Sequence, residues 1–460
     1  MTQALDTIPR ASVLSLDRGN VCAPYAALLA GSAWLGVGIS YAQLYLFHIV
    51  LVLFLWRFSA QVLSEGRIAV PSAGFLSIPL LYLLWMMFSV AWAQDTSAAL
   101  RHVVYHGLGT TLLLVIVVYY GAYERPMKLL FAVGPVLALE LLIGMAEFTT
   151  SFRYPISPYS SLASHFGHAP YIGTSWSDAM IQLALSSPTG FHWNPNSLAA
   201  ALVICLPFFL FHDRPSIRRL GSLAVVAVIF ATASRASYIG CMVALLAWGF
   251  CFSSRRAAAF VISSLAVVCV GAIGATIAKE RGSQRVEAVI ELVEFAAAPG
   301  GVFSGGSGRS VDVRTQLMQR GLDRLVESRG LGIGGGNSRE LFLEPLTRQW
   351  KPMPLHNFWL EVVVEAGVLI GLLFIGWYLW TMRQMFSIAF HYKHKELRYL
   401  ASASAVGMLA FIPAAVSASS VMYFLPMWLL LGLAGAILAR AARLSSGQPT
   451  IRIRPSFLSA

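Results

Sequence analysis

The sequence predicts an all-α, polytopic membrane protein of about 12 transmembrane helices, with one large outer loop carrying short amphipathic helices. Three observations carry this. The chain is 57% hydrophobic and only 12% charged, where soluble domains carry about 25% charged residues. Apolar runs of about 18 or more residues recur along nearly its whole length, the span of a membrane helix. The charges that do occur collect between those runs, most of all in one polar stretch from Lys279 to Leu355. A β-barrel is excluded, because its strands are short and alternate in polarity.

The runs place spans at approximately 22–40, 42–60, 73–92, 104–122, 128–147, 192–211, 219–233, 236–252, 257–278, 357–381, 399–419 and 421–439. The chain then divides into helices 1–9 (1–278, with a smaller outer loop at about 148–190), the large loop (279–356), helices 10–12 (357–440) and a tail (441–460). All five cysteines fall in apolar runs and none forms a CxxC pair, so they read as small core residues rather than disulfides or metal ligands. The polar N-terminus, Met1 to Asn20, has no short apolar region with a small-residue cleavage site, so the first helix is expected to act as an uncleaved insertion signal.

The net charge of +12 is a topology signal here and not a nucleic-acid one. With the N-terminus inside, 19 of the 33 basic residues fall in inner segments. The short outer connections hold only Arg101, Arg153 and Arg235, and the rest lie in the long loop. Long loops translocate largely regardless of charge. Both termini are therefore expected in the cytoplasm and the long loop outside.

Within that loop, Gln284 to Ala298 and Arg314 to Glu327 are spaced as amphipathic helices, separated by the Gly/Ser-rich stretch Gly300 to Ser310. The second helix stops at Gly330-Leu331-Gly332-Ile333-Gly334-Gly335-Gly336. This is not a nucleotide P-loop, since no Gly-Lys-Ser/Thr follows the glycines.

Candidate chemistry lies on the outer side. Arg235, in Ser234-Arg235-Ala236-Ser237, puts a positive charge at the outer end of two spans, against the inside-positive trend. Arg314 opens the second loop helix, and His356 stands one residue before a span, followed by Asn357. Imidazole is the side chain best matched to proton transfer near neutral pH. Glu361 and Glu365 follow one turn apart, placed to orient His356 or pair an arginine. Glu140, inside a span, requires a partner. No outer loop holds an Asp-x-Asp or adjacent acidic pair of the kind that clamps Mg²⁺ on a diphosphate. No metal or cofactor is expected, and a diphosphate would be met by guanidinium groups, which fork onto phosphate oxygens.

Four segments occur in one order: Gly190-Phe-His-Trp-Asn-Pro-Asn-Ser-Leu-Ala199; Ser234-Arg235-Ala236-Ser237; Arg314 ahead of Gly332-Ile-Gly334; and His356-Asn357-x-x-Leu360-Glu361 with Glu365-x-Gly367. With long apolar spans between them, the chain resembles the O-antigen ligase and polymerase superfamily of bacterial envelope glycan synthesis, best over residues 190 to 380. The sequence departs from that pattern at Met318, where the family often has Trp, and at Gly330, where Pro often precedes the Gly-x-Gly.

The resemblance implies a GT-C-like, metal-independent glycosyltransferase of the bacterial inner membrane, working on the periplasmic side. Its donor would be a glycan on undecaprenyl diphosphate, and its acceptor lipid A–core (a ligase) or a second lipid-linked glycan (a polymerase). Arg235, Arg314 and His356 match the family's arginines and loop-end histidine. They are the expected catalytic residues, with Asn194, Asn196, Asn357 and Glu361 as substrate contacts. The alternatives are a twelve-span transporter or flippase of lipid-linked glycans, and a non-catalytic scaffold. A carrier is expected to show internal repeats and midplane charges in both halves, and the sequence shows neither.

Overall fold

The computed structural model describes residues 21–65, 68–69, 73–168, 187–252, 309–343, 350–353, 355–418, 421–446 and 452–453. The expected span 257–278, the expected helix Gln284–Ala298 and most of the Gly/Ser stretch lie outside the described residues. What is described is almost wholly helical. In chain order the helices are α1 (Ala23–Leu35), α2 (Leu46–Glu65), α3 (Ala73–Ser89), α4 (Thr96–Val118, continued by a π-helical turn over Tyr119–Tyr123) and α5 (Met127–Thr149). Then come α6 (Pro195–Leu210), α7 (Pro215–Ala231), α8 (Arg235–Phe252), α9 (Arg309–Glu327), α10 (Phe358–His391), α11 (Lys395–Ala414) and α12 (Leu425–Ser446).

Among the described residues, six helices are long and apolar enough to cross a membrane: those over Leu46–Ser64, Thr96–Tyr123, Met127–Thr149, Phe358–His391, Lys395–Ala414 and Leu425–Leu444. Gly74–Ser89, Pro195–Leu210 and Arg235–Cys251 are apolar but shorter. Large apolar side chains such as Trp56, Phe131, Leu142 and Leu369 stand exposed around the bundle. In water such a surface would be a liability; in a bilayer it is the lipid-facing side.

The first two expected spans, 22–40 and 42–60, are separated by a small hairpin. Strand β1 (Ser40–Tyr41) pairs antiparallel with β2 (Leu44–Tyr45), which shortens α1 to 13 residues. Two further two-stranded ribbons pair β3 (Ile68–Ala69) with β6 (Arg452–Ile453) and β4 (Glu340–Leu343) with β5 (Trp350–Met353).

Helix α11 is the hub. It packs on α6, α8, α10 and α12, and α4 packs on α12. The contact faces are rich in small residues: Ala199, Ala200 and Ala201 on α6, and Ala401, Ser402, Ala403, Ser404 and Ala405 on α11, are all buried. Small side chains let membrane helices approach closely. A Cβ on Gly240 of α8 would lie 2.6 Å from the Ala410 carbonyl.

Two elements differ from the sequence reading in a way that bears on function. Helix α9 begins at Arg309, so Arg314 sits in its second turn rather than opening it. Helix α10 runs on to His391 and is broken at Gly367 (φ 81°, ψ 167°), which divides it into an upper and a lower half. The glycine-rich segment after α9 fills the break. Ile333 N donates to Val364 O (3.0 Å), Gly334 N to Glu365 O (3.1 Å), and Val368 N to Gly330 O (2.9 Å). The backbones approach so closely that a Cβ on Gly332 (φ 90°) would overlap Gly367 N and lie 2.5 Å from the Glu365 carbonyl. Non-helical backbone at this depth persists because its polar groups are met by protein.

Candidate functional site

One end of the bundle collects the N-termini of α4, α6, α8, α10 and α12 and the C-termini of α3, α5, α7 and α11. A series of contacts ties together the segments that carry the expected site residues. At the α7–α8 corner, Ala233 takes φ 56°. Ser234 Oγ donates to Ser237 Oγ (3.0 Å) and lies 3.2 Å from Ser417 Oγ, just past α11. Two residues back from Ser417, Ala415 O accepts from Phe358 N (3.3 Å), the first residue of α10. Asn357 caps α10 through Oδ1 to Leu360 N (3.3 Å), and its Nδ2 lies 3.5 Å from Met318 Sδ on α9.

Arg235, half-buried, therefore begins α8 next to a serine pair that reaches α11. His356, half-buried with φ 53°, precedes the cap of α10. Arg314 lies four residues before Met318, one turn back along α9. Leu317, buried, packs with Leu355 and Val364 and fixes that helix against α10.

The segment entering α6 is built separately. Asn194 is its N-cap, accepting from Asn196 N at 2.8 Å, so Asn194 has a backbone role. Below it, Glu147 accepts from the backbone N–H groups of Thr189 (2.8 Å), Gly190 (2.8 Å) and Tyr154 (3.0 Å). Glu140 has the partners it required: Trp34 Nε1 donates to it at 2.6 Å, and His192 Nε2 lies 3.2 Å away. Gly190 (φ 54°) is glycine because a Cβ would press on Glu140 at 3.2 Å. The nearby Arg153 guanidinium is drawn below its ordinary pKa by burial, with Glu147 opposing that shift. His168 meets Ser40 Oγ (3.0 Å) and the Trp193 ring.

Sequence reasoning missed a third group. Glu365 was expected to orient His356 or to pair an arginine; instead it receives Ser338 Oγ at 2.6 Å and pairs with His102 Nε2 at 3.3 Å. His102 Nδ1 lies 3.2 Å from Tyr423 Oη. Burial, then Glu365 and Glu361, raise the Tyr423 phenol above its usual pKa, so it stays protonated. Glu361 is buried one turn above Glu365, in electrostatic contact with it and with Arg339. His106, one turn below His102, lies between the rings of Tyr82 and Trp428. The available signal was the pair His102 and His106 at i, i+4, which the span read at 104–122 split. Among the described residues, no group of three His, Cys, Asp or Glu side chains has the geometry of a metal site.

These features define a class: a multi-pass helical membrane protein with a group of buried polar and ionisable side chains at one end of the bundle. Residues 220–375 match the family described as O-Antigen ligase, which spans the Arg235 corner, α9 and the upper half of α10. A relative, the teichuronic acid biosynthesis protein TuaE of Bacillus subtilis (strain 168), is 21% identical over 369 residues, 77% of this chain and 70% of its own length. Both matches support the resemblance to the O-antigen ligase and polymerase superfamily, the family match over residues 220–375 and the relative over most of the chain.

Proposed function

We propose that the chain is a GT-C-like, metal-independent inverting glycosyltransferase. It moves a glycan from undecaprenyl diphosphate to an acceptor sugar hydroxyl on the periplasmic face of the bacterial inner membrane, as a ligase or polysaccharide polymerase. The observation that carries this is the run of contacts Ser234–Ser417, Ala415–Phe358 and Asn357–Met318, which brings the segments of Arg235, His356 and Arg314 to one corner.

The chemistry follows from the residue types. Arg235 begins a helix, and a helix N-terminus and a guanidinium both favour an anion. With Arg314 it holds the diphosphate and receives the charge that develops as it leaves. His356 takes the proton from the acceptor hydroxyl as that oxygen attacks the anomeric carbon. One displacement without a covalent intermediate inverts that carbon. Asn357, Glu361, Asn194 and Asn196 are the substrate contacts this reading assigns, on the segments entering α6 and α10. The outward placement is supported by charge: Arg125, Lys128, Arg218, Arg219, Arg383, Lys393, Lys395 and Arg398 fall at the opposite end.

The test is transfer by purified protein from an undecaprenyl-diphosphate glycan, with chelator present. Lipid A–core and a second lipid-linked glycan are offered as separate acceptors, and the acceptor that is glycosylated distinguishes ligase from polymerase. Transfer is expected to persist in chelator and to fall by orders of magnitude in Arg235→Ala, Arg314→Ala and His356→Ala. Undiminished transfer by all three would overturn the assignment, and vectorial movement of the donor without transfer would favour a flippase.

A further inference from the structure

We propose that the lower half of α10 and the end of α9 form a binding groove for one anionic glycerophospholipid, with its phosphate on Arg329. A shallow groove of about 500 Å³ is lined by Arg329, Gly330, Val368, Leu369, Leu372 and Leu373. Leu369, Leu372 and Leu373 recur at i, i+3, i+4 on one face of a helix long enough to cross a membrane, and that face is exposed: Leu369 is 72% and Leu372 56% accessible. Arg329 is the one charged residue among them.

The backbone supplies a second, independent observation. After α9, Gly330 N donates to Leu325 O (2.9 Å) and Arg329 N to Val326 O (2.9 Å), the paired bonds of a Schellman ending. The left-handed position of that motif normally takes glycine, and here Arg329 holds it at φ 53°, with a glycine immediately after it. An arginine kept where glycine fits better indicates a use for the guanidinium. Among the described residues, Arg329 forms no ion pair.

Depth selects the ligand. The exposed Arg383, sixteen residues beyond Gly367 on the same helix, lies about 24 Å further along. A hydrocarbon core is about 30 Å thick. With Arg383 at one edge, the helix break lies about 6 Å short of the other, within snorkelling reach of an arginine. Arg329 then stands at lipid-phosphate level with an acyl-sized apolar groove beneath it. The diphosphate carrier would place its charge near Met318, about 16 Å back along α9.

The experiment uses the full chain in nanodiscs of phosphatidylcholine alone, of equal parts phosphatidylcholine and phosphatidylglycerol, or of phosphatidylcholine with undecaprenyl phosphate. Retained lipid is identified by native mass spectrometry and thermal midpoints are measured alongside. Wild type is expected to retain phosphatidylglycerol with about a fivefold preference, the ratio one basic residue confers at an anionic surface. R329K keeps that preference. R329G loses it while its midpoint in phosphatidylcholine holds or rises, because glycine suits the left-handed backbone. No preference in wild type, an unchanged preference in R329G, or selective retention of undecaprenyl phosphate would each overturn the proposal.

Discussion

Adding one methyl group at Gly332 tests how the broken helix is held together. Its φ of 90° costs an L-residue about 1–2 kcal/mol. The new Cβ overlaps Gly367 N and the Glu365 carbonyl, which are backbone atoms that cannot swing aside as a side chain can. The glycine segment and α10 must separate, and three hydrogen bonds lengthen: Ile333–Val364, Gly334–Glu365 and Gly330–Val368. At about 1 kcal/mol net each, those bonds contribute about 3 kcal/mol, for a total of about 4–5 kcal/mol. Gly330→Ala is the internal control, because its φ is 77° but its Cβ would rest 3.4 Å from Val368, an ordinary contact. That variant loses only the conformational term, about 1–2 kcal/mol. Unfolding in mixed micelles of increasing SDS fraction, followed by tryptophan fluorescence, reads both. If G332A and G330A unfold within about 1 kcal/mol of each other, the glycines are not needed for close approach and the reasoning fails.

Further outcomes follow from other parts of the molecule. Arg235→Lys is expected to recover only a small part of the transfer lost in Arg235→Ala, since an ammonium cannot fork onto a diphosphate; full rescue in a transfer assay would reduce Arg235 to a point charge. Glu365→Ala strands His102 and Ser338, and at about 1–3 kcal/mol per stranded group it destabilises by roughly 3 kcal/mol. Glu365→Gln, which still accepts from Ser338, loses less in the same unfolding assay. Glu147→Ala removes the acceptor of three backbone N–H groups and is expected to cost about 3 kcal/mol or more. It also loosens the segment 187–190 to limited proteolysis, and unchanged cleavage there would refute the anchoring role.

Much of the helix inventory was legible because lipid-facing helices cannot hide their composition: apolar runs mark α2, α4, α5, α10, α11 and α12 directly. The boundaries that slipped have physical causes. Arg383 reads as a span end, yet α10 continues to His391 because the helix extends past its apolar stretch. The Ser40–Tyr45 hairpin was missed because it is only six residues long and lies between two apolar runs, with no charged residue to mark the turn. For the candidate site, the residues proposed for the chemistry are single ones that break a trend: Arg235 against the charge bias, and His356 at a span's edge. The Glu365–His102–Ser338 group could not be read, since it forms between residues up to 263 positions apart whose pairing needs the break at Gly367. Gly367 lies inside an apolar run, where one glycine carries little signal. Arg314's place in α9 shifted because Arg309 to Val313 continues the helix upstream.

The alanine- and serine-lined hub has a consequence for how such a molecule can work. Backbones that nearly touch leave no side-chain padding to absorb a slide, so α6, α8 and α11 must travel as a single slab. The serine-bearing corner that begins α8 is bolted to that slab through Ser417. The glycine strip threaded through α10 is held as closely, by its backbone bonds to α10, by Trp92 Nε1 on Gly332 O and by Ser338 Oγ on Glu365. Changes to the slab, like changes to that strip, are therefore expected to register mainly as loss of protein.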